Sequence, residues 1–240
     1  MKMIRYDHIV QLTFFPRLFP VNCFLVEEQD DLTLVDAALP FSAKAIVQAA
    51  ERIGKSIRRI ALTHAHDDHV GALDRLKQML PEAEVAISAR DARLLAGDVT
   101  LDPGEPPTPI RGGVPKAVRT RPDRLLADGE RIGSLRAVAA PGHTPGLLAF
   151  LDERSGALLA GDAFQTRGGI AVSGQRKVLF PFPAWATWHA ETALASARRL
   201  QELRPSLLAV GHGMPLQRPA AAIDRAIREA EAALERRSGR

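Results

Sequence analysis

The sequence predicts an α/β chain with two sheets and helices packed outside them. Two observations predict it. Short apolar runs of strand length come first, then alternate with amphipathic segments of helix length, and this order occurs twice along the chain. Histidine or aspartate also stands just past the end of five apolar runs, the place where α/β sheets carry ligand sites. No repeat or low-complexity linker divides the chain, so residues 1–240 read as one domain, a length at which a single core is still feasible.

The elements follow in order. Val21 to Glu27 and Leu32 to Val35 are apolar runs separated by the polar turn Glu28-Gln29-Asp30-Asp31. Ser42 is a candidate N-cap for a helix through Ile53, with Ala45, Ile46, Ala49, Ala50 and Ile53 on one face and Gly54 at its end. Strand 60–63, helix 70–80, strand 85–87 and helix 88–96 come next. The stretch 98–123 then breaks the pattern with six prolines, as a functional lid or a disordered loop would. Strands return at 135–140, 147–152 and 157–160. A second irregular stretch covers 165–185, followed by helix 187–203, strand 207–210 and a charged amphipathic helix 219–236.

Composition excludes several classes. An apolar share of 46% with 25% charged residues is globular rather than disordered. The net charge of +4 is too small to act as a nucleic-acid footprint by itself, so nucleic acid is not the expected partner. A lone cysteine, Cys23, rules out an intramolecular disulfide and a cysteine zinc cluster, and it fits a reducing, cytoplasmic compartment. No apolar run approaches the ~18 residues of a spanning helix, and Asp7, His8 and Gln11 interrupt any signal-peptide core.

The chemistry is concentrated in Thr63-His64-Ala65-His66-Asp67-Asp68-His69, an H-x-H-x-D-H string. Clustered imidazoles with a carboxylate are what a borderline divalent metal needs. The other candidates share one context. Strand 137–140 leads into Pro141-Gly142-His143, strand 158–160 into Gly161-Asp162, strand 207–210 into Gly211-His212-Gly213, and strand 32–35 into Asp36. Glycine lets the backbone turn sharply and approach an ion. His64, His66, Asp68, His69, His143, Asp162 and His212 make seven donors, too many for one tetrahedral zinc but enough for two metals that share a carboxylate.

With these residues in this order, the chain resembles the metallo-β-lactamase superfamily from about Val21 to His212. The resemblance implies a four-layer αβ/βα sandwich with two metal ions between the sheet edges, zinc first, iron or manganese as alternatives. It implies that His64, His66 and His143 hold one ion, that Asp68, His69 and His212 hold the other, and that Asp162 bridges them. Asp68 and Asp162 are then the carboxylates expected in catalysis, and Asp36 the one that orients a ligand imidazole. True β-lactamases are less similar, since they carry Cys or Ser at the place of Asp162. The glyoxalase II and lactonase-like branch is closer, although the chain runs only 28 residues past His212, too few for a glutathione-gripping helical domain. Gln165 stands where acyl-homoserine lactonases carry Tyr. His66 stands where flavodiiron members carry Glu, and the basic arm of the tRNA-processing members is not evident.

The expected function is hydrolysis of a small carbonyl ester, thioester or lactone by a metal-bridging hydroxide. A mononuclear iron persulfide dioxygenase using His64, His143 and Asp162 is the alternative from another class, and a phosphodiesterase on a nucleotide or nucleic acid is a third. The expected partner is a small molecule, with no membrane; a homo-oligomer is left open. Stretches 98–123 and 165–188 are expected to wall the cleft, with Phe180, Phe182, Trp185 and Trp188 as an apolar side and Arg176 and Lys177 holding an anionic substrate end. His8, His189 and Cys23 read as structural or solvated residues.

Overall fold

The computed structural model describes residues 1–116 and 118–238. Seven strands form the first sheet, in chain order: β1 (Lys2–Tyr6), β2 (Ile9–Phe14), β3 (Val21–Glu27), β4 (Leu32–Val35), β5 (Ile57–Ala61), β6 (Glu84–Ser88) and β7 (Arg124–Leu126). Strands β1 to β4 pair antiparallel, while β4 to β7 run parallel. Parallel pairing needs crossovers. They are supplied by α1 (Ala43–Ile53), by α2 (Asp67–Val70) with α3 (Leu73–Met79), and by α4 (Ala89–Leu95) with the proline-rich segment.

The second sheet has β8 (Arg131–Ile132), β9 (Leu135–Ala139), β10 (Leu148–Asp152) and β11 (Ala157–Leu159). It then takes in β14 (Leu207–Ala209) and β15 (Leu216–Gln217), in spatial order β15-β14-β11-β10-β9-β8. Between β11 and β14 the chain makes the small hairpin β12 (Phe164–Gln165) and β13 (Ala171–Val172), a short helix α5 (Phe182–Ala186) and the longer α6 (Ala190–Glu202). Helix α7 (Ala220–Ser238) ends the described chain.

Period-two alternation divides the apolar residues among three cores. Val21, Cys23 and Leu25 of β3 face α1, α3 and α4 with Ile46, Leu73 and Leu94, whereas Phe24 and Val26 face the second sheet. Leu135 and Ala137 of β9 meet them from across, and Val138 turns the other way towards Leu200 and Ile227 on α6 and α7. The layers are therefore helix, sheet, sheet, helix, as expected. Among the described residues no helix is long and apolar enough to cross a membrane.

Several elements differ from the sequence-based expectation. The β1–β2 hairpin was not foreseen in detail. The expected helix 70–80 is two pieces, α2 and α3, since Gly71 keeps helical angles but Ala72 departs from them at φ −90°, ψ 2°. Ser42 makes no side-chain cap, and α1 instead ends on Gly54, whose N–H bonds Ala50 and Glu51 carbonyls in a left-handed turn. Ser88, not foreseen as a cap, accepts the Asp91 N–H and starts α4.

Candidate metal centre

All seven donors lie at one edge of the sandwich, and six of them are buried. His64 and His66 follow β5, Asp68 and His69 sit on α2, His143 follows β9, Asp162 follows β11 and His212 follows β14. Three donor groups form: His64 with His66 and His143, His64 with His69 and Asp162, and Asp68 with His69 and His212. Within each, the ligand atoms lie no more than 4.8 Å apart. Asp162 touches both ends of the cluster, with Oδ2 3.4 Å from His143 Nε2 and 3.1 Å from His212 Nε2, and Oδ1 3.4 Å from His69 Nε2.

Each imidazole is tethered by one nitrogen, which turns the other inward. His64 Nδ1 lies 3.0 Å from the Thr63 hydroxyl, which itself donates to Asp36 Oδ2 at 2.8 Å. His66 Nε2 meets the Arg111 carbonyl at 2.9 Å. His69 Nδ1 meets Asp36 Oδ2 at 2.8 Å, and His212 Nδ1 the Pro20 carbonyl at 2.7 Å. His143 Nδ1 lies 3.2 Å from Ser173 Oγ and 3.3 Å from Thr187 Oγ1. Such partners fix the ring orientation and, in the neutral ring, the tautomer that leaves an inward lone pair. Asp36 performs its double task from a left-handed conformation, φ 63°, which Asp tolerates better than most residues.

The inward atoms fit a pair of divalent ions. His64 Nε2, His69 Nε2 and Asp162 Oδ1 are buried with no hydrogen-bond partner, although such atoms are costly to leave unpaired. His66 Nδ1 and His143 Nε2 face each other at 3.0 Å. Burial, reinforced by the other imidazoles, lowers His64 well below the ordinary range, and burial pushes His143 down to about 3. Burial alone would raise Asp162, but His212 and His69 outweigh it and hold its carboxyl well below the usual range. Neutral imidazoles and an ionised carboxylate are the metal-binding forms.

Two contacts that the sequence did not flag hold the loops in register. Asp91, at the start of α4, accepts from Ala65 N at 3.0 Å, Thr144 Oγ1 at 2.8 Å and Gly146 N at 2.8 Å, so it ties the His64–His66 loop to the His143 loop. Asn22 of β3 donates to the Val210 and Gly213 carbonyls at 2.8 and 2.7 Å and clamps the His212 loop. A polar residue inside the apolar run 21–27 was the available signal for Asn22; Asp91 gave none.

Beside the donors opens a cavity of about 370 Å³, walled by Gly112 and Gly113 from the proline-rich segment and by Phe182, Pro183 and Trp185 of α5. Both irregular stretches thus contribute, as expected. Phe180 and Trp188 do not line it. Phe180 is buried with its ring 5.5 Å from that of His212, and buried Trp188 donates from Nε1 to the Thr108 carbonyl at 2.7 Å, pinning the proline-rich segment. Lys177 is also misplaced by the sequence reading: its ammonium pairs with Glu229 of α7 at 2.7 Å, outside the cavity. Arg176 sits over the Trp185 ring, 5.9 Å from its centroid, in a neighbouring cavity. His189 caps α6 and His8 bonds Asp152, both structural roles.

Comparison with known proteins agrees with this geometry. The family model described as the Metallo-beta-lactamase superfamily matches residues 16–212. YobT of Bacillus subtilis (strain 168) is 57% identical over 96% of this chain and 99% of its own length. "Probable metallo-hydrolase YflN" of the same organism is 30% identical over 80% of this chain and 79% of its own, and hydroxyacylglutathione hydrolase GloC of Haemophilus influenzae is 27% identical over 81% and 86%. Among solved structures, TTHA1623 in a di-iron-bound form is 26% identical with a TM-score of 0.62, covering 88% of this chain and 96% of that one. The DIM-1 metallo-beta-lactamase, at 15% identity and TM-score 0.72 over 97% of both chains, shares the fold. On the matched span, the sandwich and the donor set together, the chain belongs to the metallo-beta-lactamase superfamily.

Proposed function

We propose that the chain is a dinuclear metallo-hydrolase of a small carbonyl ester, thioester or lactone. The observation that carries this is the tethering of all five imidazoles by their outer nitrogens, which aims five inward nitrogens and two carboxylates at one volume beside the cavity. His64, His66 and His143 would hold one ion, Asp68, His69 and His212 the other, and Asp162 would be shared. Divalent ions bound there supply a hydroxide near neutral pH and polarise a carbonyl oxygen. Asp68 borders both the donor cluster and the cavity, and besides holding the second ion its carboxylate would receive the proton given up as bound water becomes hydroxide. Phe182 and Trp185 give the acyl portion an apolar wall. The relationship to hydroxyacylglutathione hydrolase GloC supports a thioester among the candidates. Seven convergent donors exceed the three that a mononuclear iron dioxygenase uses. Zinc is the proposed metal, and the di-iron form of TTHA1623 keeps iron as the alternative.

The test is metal analysis of the purified chain together with assays on ester, thioester and lactone panels. About two metal equivalents and chelator-sensitive hydrolysis are expected, with His64→Ala lowering metal content and Asp162→Ala disturbing both sites. About one iron with oxygen uptake on a persulfide would replace this reading with the dioxygenase one, and cleavage confined to phosphodiesters would replace it with the third.

A further inference from the structure

Behind α5 lies a second cavity of about 440 Å³, lined by Arg111, Arg176 and Arg237 with Trp185, Thr187 and Ala190. Three guanidinium-bearing side chains border it and no carboxylate does. None of the three has an acidic partner within ion-pair distance among the described residues, whereas the nearby Lys177 is paired with Glu229 at 2.7 Å. Ala190 is the first residue of α6, so the partial positive charge of a 13-residue helix adds to the same field. The residues come from five separate parts of the chain: the proline-rich segment, the loop after β13, α5 with its C-terminal flank, the start of α6, and α7.

This cavity adjoins the metal centre. Trp185 lines both cavities, Arg111 precedes the Gly112–Gly113 wall of the first, and Thr187 places its hydroxyl 3.3 Å from His143 Nδ1. Arg176 lies over the ring of Trp185, 5.9 Å from its centroid, and Trp185 is a residue that both spaces share. We infer that Arg111, Arg176 and Arg237 form an anion subsite that selects substrates bearing a carboxylate or phosphate several bonds from the scissile carbonyl. The charged group lies among the arginines, and the chain that connects it to the carbonyl passes along Trp185. Its substrate arm rests on the hydrolase reading; the binding of the anion does not.

Two measurements separate these. First, adipate is titrated by calorimetry and by Trp fluorescence into the metal-loaded wild type and the Arg176→Gln, Arg237→Gln double variant. Binding that weakens about tenfold in the variant, and in the wild type falls with added salt, supports the subsite. Binding that is equal in both, as adipate held at the metal donors alone would give, or no binding at all, overturns it. Second, kcat/KM is compared for 4-nitrophenyl hydrogen adipate against 4-nitrophenyl hexanoate, which places the anion on the acyl side. The hexanoyl thioesters of 3-mercaptopropionate and propanethiol place it on the leaving side. A preference for the anionic member of either pair, reduced about tenfold by Arg176→Gln, supports the subsite and identifies the side. Hydrolysis of both pairs without preference overturns it. If no ester or thioester is cleaved, the hydrolase reading fails and the titration still decides the subsite.

Discussion

Asp91 Oδ2 accepts the Thr144 hydroxyl at 2.8 Å, and through this bond α4 fixes the distance between the two loops that carry His66 and His143. The same carboxylate satisfies the buried N–H groups of Ala65 and Gly146. Asp91→Ala leaves both without a partner, at about 2–4 kcal/mol of stability. The denaturant midpoint should fall accordingly, and metal content should fall with it although no donor has been changed. Full metal occupancy in a destabilised Asp91→Ala chain would mean that the loops hold their spacing without it.

Gly211 is the second prediction. A Cβ there would lie 2.2 Å from Asp162 Oδ1 and 2.6 Å from His69 Cε1. Its backbone is not in the left-handed region, so alanine fits the local conformation and the whole effect is steric. Gly211→Ala is expected to cost about 1–3 kcal/mol by overpacking. Bound metal should fall, with circular dichroism unchanged. Alanine at Gly54, where nothing lies within 4 Å, should leave metal content alone.

The difference between what was legible in the sequence and what was not follows from chemistry. The seven donors could be read because each is a residue type with a narrow use, placed after an apolar run and beside glycine or within H-x-H-x-D-H. Asp36 was equally readable, and it bonds both Thr63 and the His69 ring. Asp91 was not, because an aspartate in the first turn of a helix ordinarily faces water, and only the approach of the 144–146 loop, 53 residues on, makes it a tie. The side on which Arg176 and Lys177 fall was not legible for a similar reason. Neighbours in sequence, they leave the loop in different directions, one to Trp185 and the other to Glu229. Pairings as short as β8, β12, β13 and β15 have no periodicity to detect.

The third prediction concerns acid stability. Burial by itself would raise Asp152, but hydrogen bonds from Ser155, Arg154 and His8 outweigh it and pull its carboxyl down to about 2. A carboxyl lowered on folding contributes stability that is complete above its unfolded value of about 3.9 and is lost as pH falls towards 2. Asp152→Asn should therefore be less stable than wild type at pH 7, and the gap should narrow between pH 4 and pH 2. A gap that stays constant over that window would show that the loss is one of packing, unconnected with ionisation.

The fourth prediction links pH to metal uptake. Burial works to deprotonate His212, but Asp162 and Asp68, whose carboxylate oxygens lie 3.1 and 3.3 Å from Nε2, outweigh it and push its pKa up to about 10. His69 is likewise raised well above the ordinary range, since Asp36, Asp162 and Asp68 together overcome its burial. A metal ion takes only the neutral imidazole, so it must displace these protons. Adding zinc to chelator-stripped protein in weak buffer at pH 7 should release about two protons per chain from these imidazoles and about one more from the bound water that becomes hydroxide, and the apparent affinity should rise with pH up to about 10. His212→Asn should release one fewer and bind its second ion weakly. His64 and His143 lie on the other side of the range, lowered by burial, so ions held by them and His66 should displace no imidazole protons. Uptake that releases no protons at pH 7 would place both ions away from His69 and His212 and would remove the basis for a dinuclear centre.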